Sequence, residues 1–143
     1  MRLESIGRYA DWAPVLLRVA LGLILIVHGY DKLYVTGVSN VAAFFSSVHV
    51  PLPAIAAWIA GFVEFFGGIL ILVGLLTRIV AFLVSIEFLI ILYLKIVSWK
   101  VPLVDFKTGV GGYQLDLLIF AVALALFLRG AGIKLSLDKV VFK

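Results

Sequence analysis

Four stretches of nearly unbroken apolar residues, Pro14 to Tyr34, Ala54 to Thr77, Ile79 to Val97 and Tyr113 to Leu128, are separated by shorter polar or turn-forming segments. A helix crossing a hydrocarbon layer of about 30 Å needs about 20 residues at 1.5 Å rise each, and the first three stretches meet that length. The fourth reaches it only by taking in Arg129, whose long side chain can extend to the head groups. The pattern predicts an all-α integral membrane protein, a four-transmembrane-helix bundle in one domain over residues 1–143, with spans near 14–34, 54–77, 79–97 and 113–129. Between the first two spans, Ser39 to Val48 places Val41, Phe44, Phe45 and Val48 at helical spacing, with Ser39 or Asn40 as a cap and Pro51–Leu52–Pro53 as a stop. This segment is expected to be a short helix at the outer interface. Thr77–Arg78 leaves so little chain between spans two and three that they must form an antiparallel hairpin. Ser98 to Gly112, with Pro102, Gly109, Gly111 and Gly112, reads as an ordered outer loop. The hydrophilic lead Met1 to Asp11 is unlike a cleavable signal, so the first span is expected to be retained.

Composition agrees: 64% of residues are hydrophobic and 14% charged, against roughly 45–50% and about 25% in a soluble domain. The excess apolar mass has to face lipid. The absence of cysteine removes disulfides, thiolate metal sites and dithiol redox chemistry from this chain. Despite a net charge of +4, the basic residues are scattered singly, which argues against nucleic acid and for a topology signal. Arg2, Arg8, Arg78, Arg129, Lys134, Lys139 and Lys143 fall on one side, and Lys32, Lys95, Lys100 and Lys107 on the other. Seven against four predicts a multi-pass protein of the cell membrane with both termini cytoplasmic. Tyr30, Tyr34, Tyr93, Trp99 and Tyr113 fall near outer ends and Trp12 at an inner one, as interfacial aromatics should.

Arg18, His28, Glu64 and Glu87 lie within the spans, with Lys32 and Asp116 near outer ends. Ionisable groups at such depth are costly, so they turn inward and pair. Depth arithmetic at 1.5 Å per residue sets His28 and Glu64 level, both roughly 20 Å up, and makes them the candidate catalytic pair. Arg18, about 6 Å up, is expected to reach Glu87, about 12 Å up, or Glu64 if the helices are offset. Lys32 and Asp116, at similar depth, form the third expected pair. Arg18, Gly22, Leu25, His28, Gly29 and Lys32 make one stripe on the first span, and Gly61, Glu64, Gly68, Ile71 and Leu75 a matching one on the second, with Gly67 and Gly74 beside it. Such small residues predict a close helix seam. The pairs can be read as register-fixing ion pairs, or, for His28 with Glu64, as a site where a proton is accepted at depth. Neither haem nor a metal is expected: His49 is the only other histidine, and no zinc-protease, phosphate-loop or dinucleotide motif is present.

The run from Val63 through Arg78 resembles the E-x-x-G-G-x(5)-G-x-x-T-R signature of the DoxX family. Arg18, the sequence His28–Gly29–Tyr30–Asp31–Lys32–Leu33, Pro51–Leu52–Pro53, and Gly130–Ala131–Gly132 followed by Ser136–Leu137–Asp138 resemble further family motifs in order along nearly the whole chain. The resemblance implies a four-helix membrane protein tied to quinol oxidation, to thiosulfate:quinone oxidoreduction, or to thiol and oxidative-stress handling. Without cysteine, a thiol relay run by this chain alone is untenable. The leading expectation is a membrane subunit of a quinone-linked oxidoreductase complex, in which His28 and Glu64 border a cavity for a quinone head group or a proton. Its partners would be the lipid bilayer and a cofactor-bearing subunit, or further copies of itself. The alternative is a non-catalytic scaffold or assembly factor. A small transporter is disfavoured because no inverted repeat or broken helix is evident.

Overall fold

A computed structural model of the chain describes residues 9–106 and 112–141. Arg2, Arg8, Lys107 and Lys143 of the charge count, Gly109 and Gly111 of the outer loop, and most of the lead Met1 to Asp11 lie outside the described residues. Within them every regular element is helical: α1 (Ala13–Tyr30), α2 (Val38–Ser47), α3 (Pro53–Val73), α4 (Thr77–Tyr93), α5 (Gln114–Arg129) and α6 (Asp138–Val141). Single π-helical turns continue α1 over Asp31–Val35 and α4 over Leu94–Ser98.

Among the described residues three continuous helical runs are long and apolar enough to cross a membrane: Tyr9–Val35, Pro53–Val73 and Thr77–Ser98, of 27, 21 and 22 residues. Only 33–39% of the most apolar part of each is buried within the bundle, so the remainder faces outward. Leu16, Val27, Ile59, Phe62, Ile79 and Leu89 are among those outward positions, an apolar surface that lipid satisfies and water does not. α5 has 16 residues and packs along α4. α2 forms where the helical spacing of Val41, Phe44, Phe45 and Val48 predicts it, and lies against α3.

Pro53 occupies the first turn of α3, where its missing N–H costs nothing. The helix stops at Val73, four residues before the predicted end of the span, because Gly74 turns left-handed at φ +70°. Leu76, also left-handed, then starts α4, and residues 74–76 make the tight hairpin. The interior is built from α1 (Leu21, Leu25), α3 (Ile71), α4 (Val80, Ala81, Val84, Phe88) and α5 (Ile119, Ala123, Leu126).

The predicted small-residue seam joins α1 to α3. A Cβ on Gly22 would sit 2.8 Å from the Gly68 carbonyl oxygen, and one on Gly68 would sit 2.8 Å from the Ile26 amide nitrogen. A Cβ on Gly29 would run into the Phe65 backbone. Backbones this close gain dispersion contacts that lipid chains cannot replace, and they hold α1 and α3 in the register that sets the polar site.

Candidate functional site

Two polar assemblies occupy opposite ends of the bundle. The first is centred on α3, whose inward stripe Ala57, Ala60, Gly61, Glu64, Gly67, Gly68 and Ile71 is almost wholly small. This stripe carries the Glu64 side chain into the interior, where the residue has 0% exposure. Lys32, in the π-helical turn after α1, donates from Nζ to Glu64 Oε2. Glu64 Oε1 has no hydrogen-bond partner among the described residues. Glu87 on α4 lies within electrostatic range of both Glu64 and Lys32, and neither of its shielded carboxylate oxygens has a hydrogen-bond partner among the described residues. His28 is half-buried and within electrostatic range of Glu64, but its ring makes no hydrogen bond among the described residues. A second ion pair borders this cluster: Lys95, in the π-helical turn after α4, donates to Asp116 Oδ2 at 2.6 Å.

The pairings expected from depth alone are therefore redistributed. Glu64 takes Lys32 as its ionic partner, and His28 is a neighbour of that pair and makes no direct bond to it. The four-carbon stem of Lys32, one turn above His28, lets a full cation reach down to the carboxylate, and such a charge-assisted bond is stronger than one between neutral groups. Asp116 correspondingly pairs with Lys95 and leaves Lys32 to α3. The residue missed from sequence was Lys95, which sits at the same end of its span as Lys32 and carries the same signal.

Arg18 does not reach Glu87. It is 1% exposed and its Nη2 donates to the carbonyls of Lys134, at 3.0 Å, and Leu135, at 2.9 Å. These belong to the chain after α5, which folds back beneath the bundle and forms the second assembly. There the Ser136 hydroxyl and the Asp138 amide both donate to the Gly74 carbonyl, at 3.2 Å and 2.8 Å. Asp138 Oδ1 accepts the Leu76 N–H at 2.6 Å and Oδ2 the Thr77 N–H at 3.1 Å. Leu76 has no side-chain oxygen to cap α4, so a carboxylate from the tail satisfies the first amides of that helix and complements its dipole. Asp138 is also the carboxylate within electrostatic range of Arg18. Any side chain at position 74 would collide with the Arg18 guanidinium, a second reason for glycine there. The motif residues Arg18, Gly74, Thr77, Ser136 and Asp138 thus converge on one knot that locks the tail to the α3–α4 hairpin.

A cavity of about 580 Å³ opens beside this knot, lined by Leu76, Arg78, Ile79, Gly130, Asp138 and Lys139 among others. A shallower apolar groove of about 520 Å³ runs along α5 at Gln114, Leu115, Leu117, Leu118 and Ala121. Neither is lined by His28, Glu64 or Glu87. At the Lys32–Glu64 end, aromatic rings gather instead: Tyr30, Tyr34 and Phe65 have centroids 5.2–6.4 Å apart, and Trp58, Phe62 and Phe66 stack along α3 at successive separations of 5.4 Å.

The DoxX family model matches residues 13–97, the span from α1 through the π-helical turn after α4. The Bacillus subtilis (strain 168) protein named "Putative oxidoreductase CatD" is 34% identical over 129 residues, a stretch covering 90% of this chain and 87% of that protein. No solved structure matches the chain.

Proposed function

This chain belongs to the DoxX family, and from that premise we propose that it is a membrane subunit of a quinone-linked oxidoreductase complex, of quinol oxidase or thiosulfate:quinone oxidoreductase type. The observation that carries the reading is a lysine–carboxylate pair in the bundle interior with one carboxylate oxygen, Glu64 Oε1, left unpartnered. A quinone offers two carbonyl acceptors and gains two protons with two electrons on reduction. Lys32 can donate to a carbonyl, and Glu64, with His28 beside it, can hand over or take up the proton at the quinone oxygen. The electrons pass to or from a cofactor-bearing partner subunit. The ring faces of Tyr30, Tyr34 and Phe65 suit a flat head group arriving from the lipid. The name of the Bacillus subtilis relative agrees with an oxidoreductase setting. In the membrane α5 serves as the fourth span, α2 lies at the outer interface, and both termini face the cytoplasm.

A scaffold role is the second reading, favoured by how much of the charge is consumed in structure: Lys95 by Asp116, Arg18 by tail carbonyls, Asp138 by the start of α4. Quinone turnover by the purified complex, at matched expression, separates the two. Glu64→Gln keeps the shape and removes the proton acceptor, so turnover should fall at least tenfold. Unchanged turnover would overturn the catalytic reading and leave the scaffold.

A further inference from the structure

The Lys32–Glu64 end of the bundle does not balance its charge. The groups facing it are Lys32 from the turn after α1, His28 from α1, Glu64 from α3 and Glu87 from α4, with Lys95 and Asp116 closed on each other at its border. One lysine therefore serves two interior carboxylates. Three carboxylate oxygens, Glu64 Oε1 and both of Glu87, are shielded from solvent and have no hydrogen-bond partner among the described residues. An ionised carboxylate left in hydrocarbon without partners is among the most unfavourable groups a fold can hold. A single proton removes the charge deficit. As a neutral acid, Glu87 carries no charge into the interior, and Lys32 is left to balance Glu64 alone.

We propose that Glu87 is held as a neutral carboxylic acid beside the Lys32–Glu64 ion pair, so that Lys32, Glu64 and Glu87 form a proton-storing triad inside the bundle. The triad carries one positive and one negative charge plus one exchangeable proton. The proton moves between the two carboxyl groups without altering the net charge, and its loss leaves a net negative site that recaptures it. What the proton is used for rests on the quinone reading above. That the proton is there does not, and it is measured without turnover.

The triad makes a counting prediction for infrared spectroscopy of the purified protein in lipid. A protonated carboxyl shows a carbonyl stretch separated from that of a carboxylate and shifted by deuterium exchange. The parent protein should show one such buried acid. Glu87→Gln should show none, because Lys32 and Glu64 then balance. Glu64→Gln should also show none, because Glu87 ionises to balance Lys32. Lys32→Met should show a twofold increase, because both carboxyl groups must then be neutral. Helicity and a monodisperse profile in detergent establish that each variant is folded, and the Lys32→Met doubling stands independently if one Gln variant fails to express. The proposal is overturned if the parent shows no buried acid, as it would if a charged His28 or a bound cation balanced the second carboxylate, or if the band survives Glu87→Gln. Loss of the band in Glu87→Gln with unchanged quinone turnover in Glu64→Gln would keep the triad and sink only the quinone reading.

Discussion

Replacing Asp138 with alanine tests whether the tail knot is an energetic unit. The carboxylate receives two backbone N–H groups at the start of α4, from Leu76 at 2.6 Å and Thr77 at 3.1 Å. Hydrogen bonds to a charged acceptor contribute about 1.5–3 kcal/mol each when shielded, and loss of a helix N-cap costs about 0.5–2 kcal/mol. Asp138 is only half-buried, so solvent weakens both bonds below that shielded range, and the total loss is expected near the upper end of the helix-cap range, about 2 kcal/mol. That loss falls on local opening of the tail, because α6 and residues 130–137 are held chiefly by this knot. Opening should then become roughly 30-fold more frequent, since each 1.4 kcal/mol is a factor of ten. Limited trypsin digestion in detergent reads it at the Lys134–Leu135 bond, whose flanking carbonyls are held by Arg18 in the closed state. Asp138→Ala should be cut roughly 30 times faster than the parent. Asp138→Asn, which keeps one acceptor oxygen and loses the charge, should fall between them. Cleavage of Asp138→Ala at the parental rate would refute the argument that this carboxylate holds the tail.

Gly29→Ala should destabilise the bundle by about 1–3 kcal/mol, because its methyl meets the Phe65 backbone and α1 must move away from α3, with thermal unfolding in detergent as the measure. Gly37→Ala, with no atom within 4 Å, should cost only the strain of its φ of +81° and so leave the helix packing intact. The Lys95–Asp116 pair is part-exposed, with side chains 27% and 14% accessible, so a double-mutant cycle of Lys95→Met and Asp116→Asn should give a coupling of about 0.5–1 kcal/mol. A value indistinguishable from zero would make it an incidental surface contact. For topology, a reporter fused after Lys143 should be active in its cytoplasmic form only, and activity confined to the other side would invert the placement of the Lys32–Glu64 site.

The helices were legible along the chain because lipid imposes a simple requirement: long apolar runs, with small residues where backbones meet. The glycines at 22, 29 and 68 fall on stripes at helical spacing, and the seam they predict between α1 and α3 is present. Depth alone was also enough to single out Arg18, Lys32, Glu64 and Glu87, since an ionisable side chain in hydrocarbon has to turn inward whatever its partner.

Choosing the partners required the folded chain. Level in the membrane is a one-dimensional quantity, whereas pairing depends on helix rotation and on how far a side chain extends. The π-helical turns at Asp31–Val35 and Leu94–Ser98, which an apolar pattern does not announce, place Lys32 over Glu64 and Lys95 over Asp116. Arg18 went to the tail because residues 130–137 double back beneath the bundle and present backbone carbonyls, which outcompete the Glu87 or Glu64 partner that depth alone suggested. Backbone acceptors have no signature in side-chain chemistry, so no reading of residue types could find them. Among the described residues Glu87 has no cation of its own, because Lys32, the lysine within its electrostatic range, is bound to Glu64, a competition that exists only once three helices share one interior.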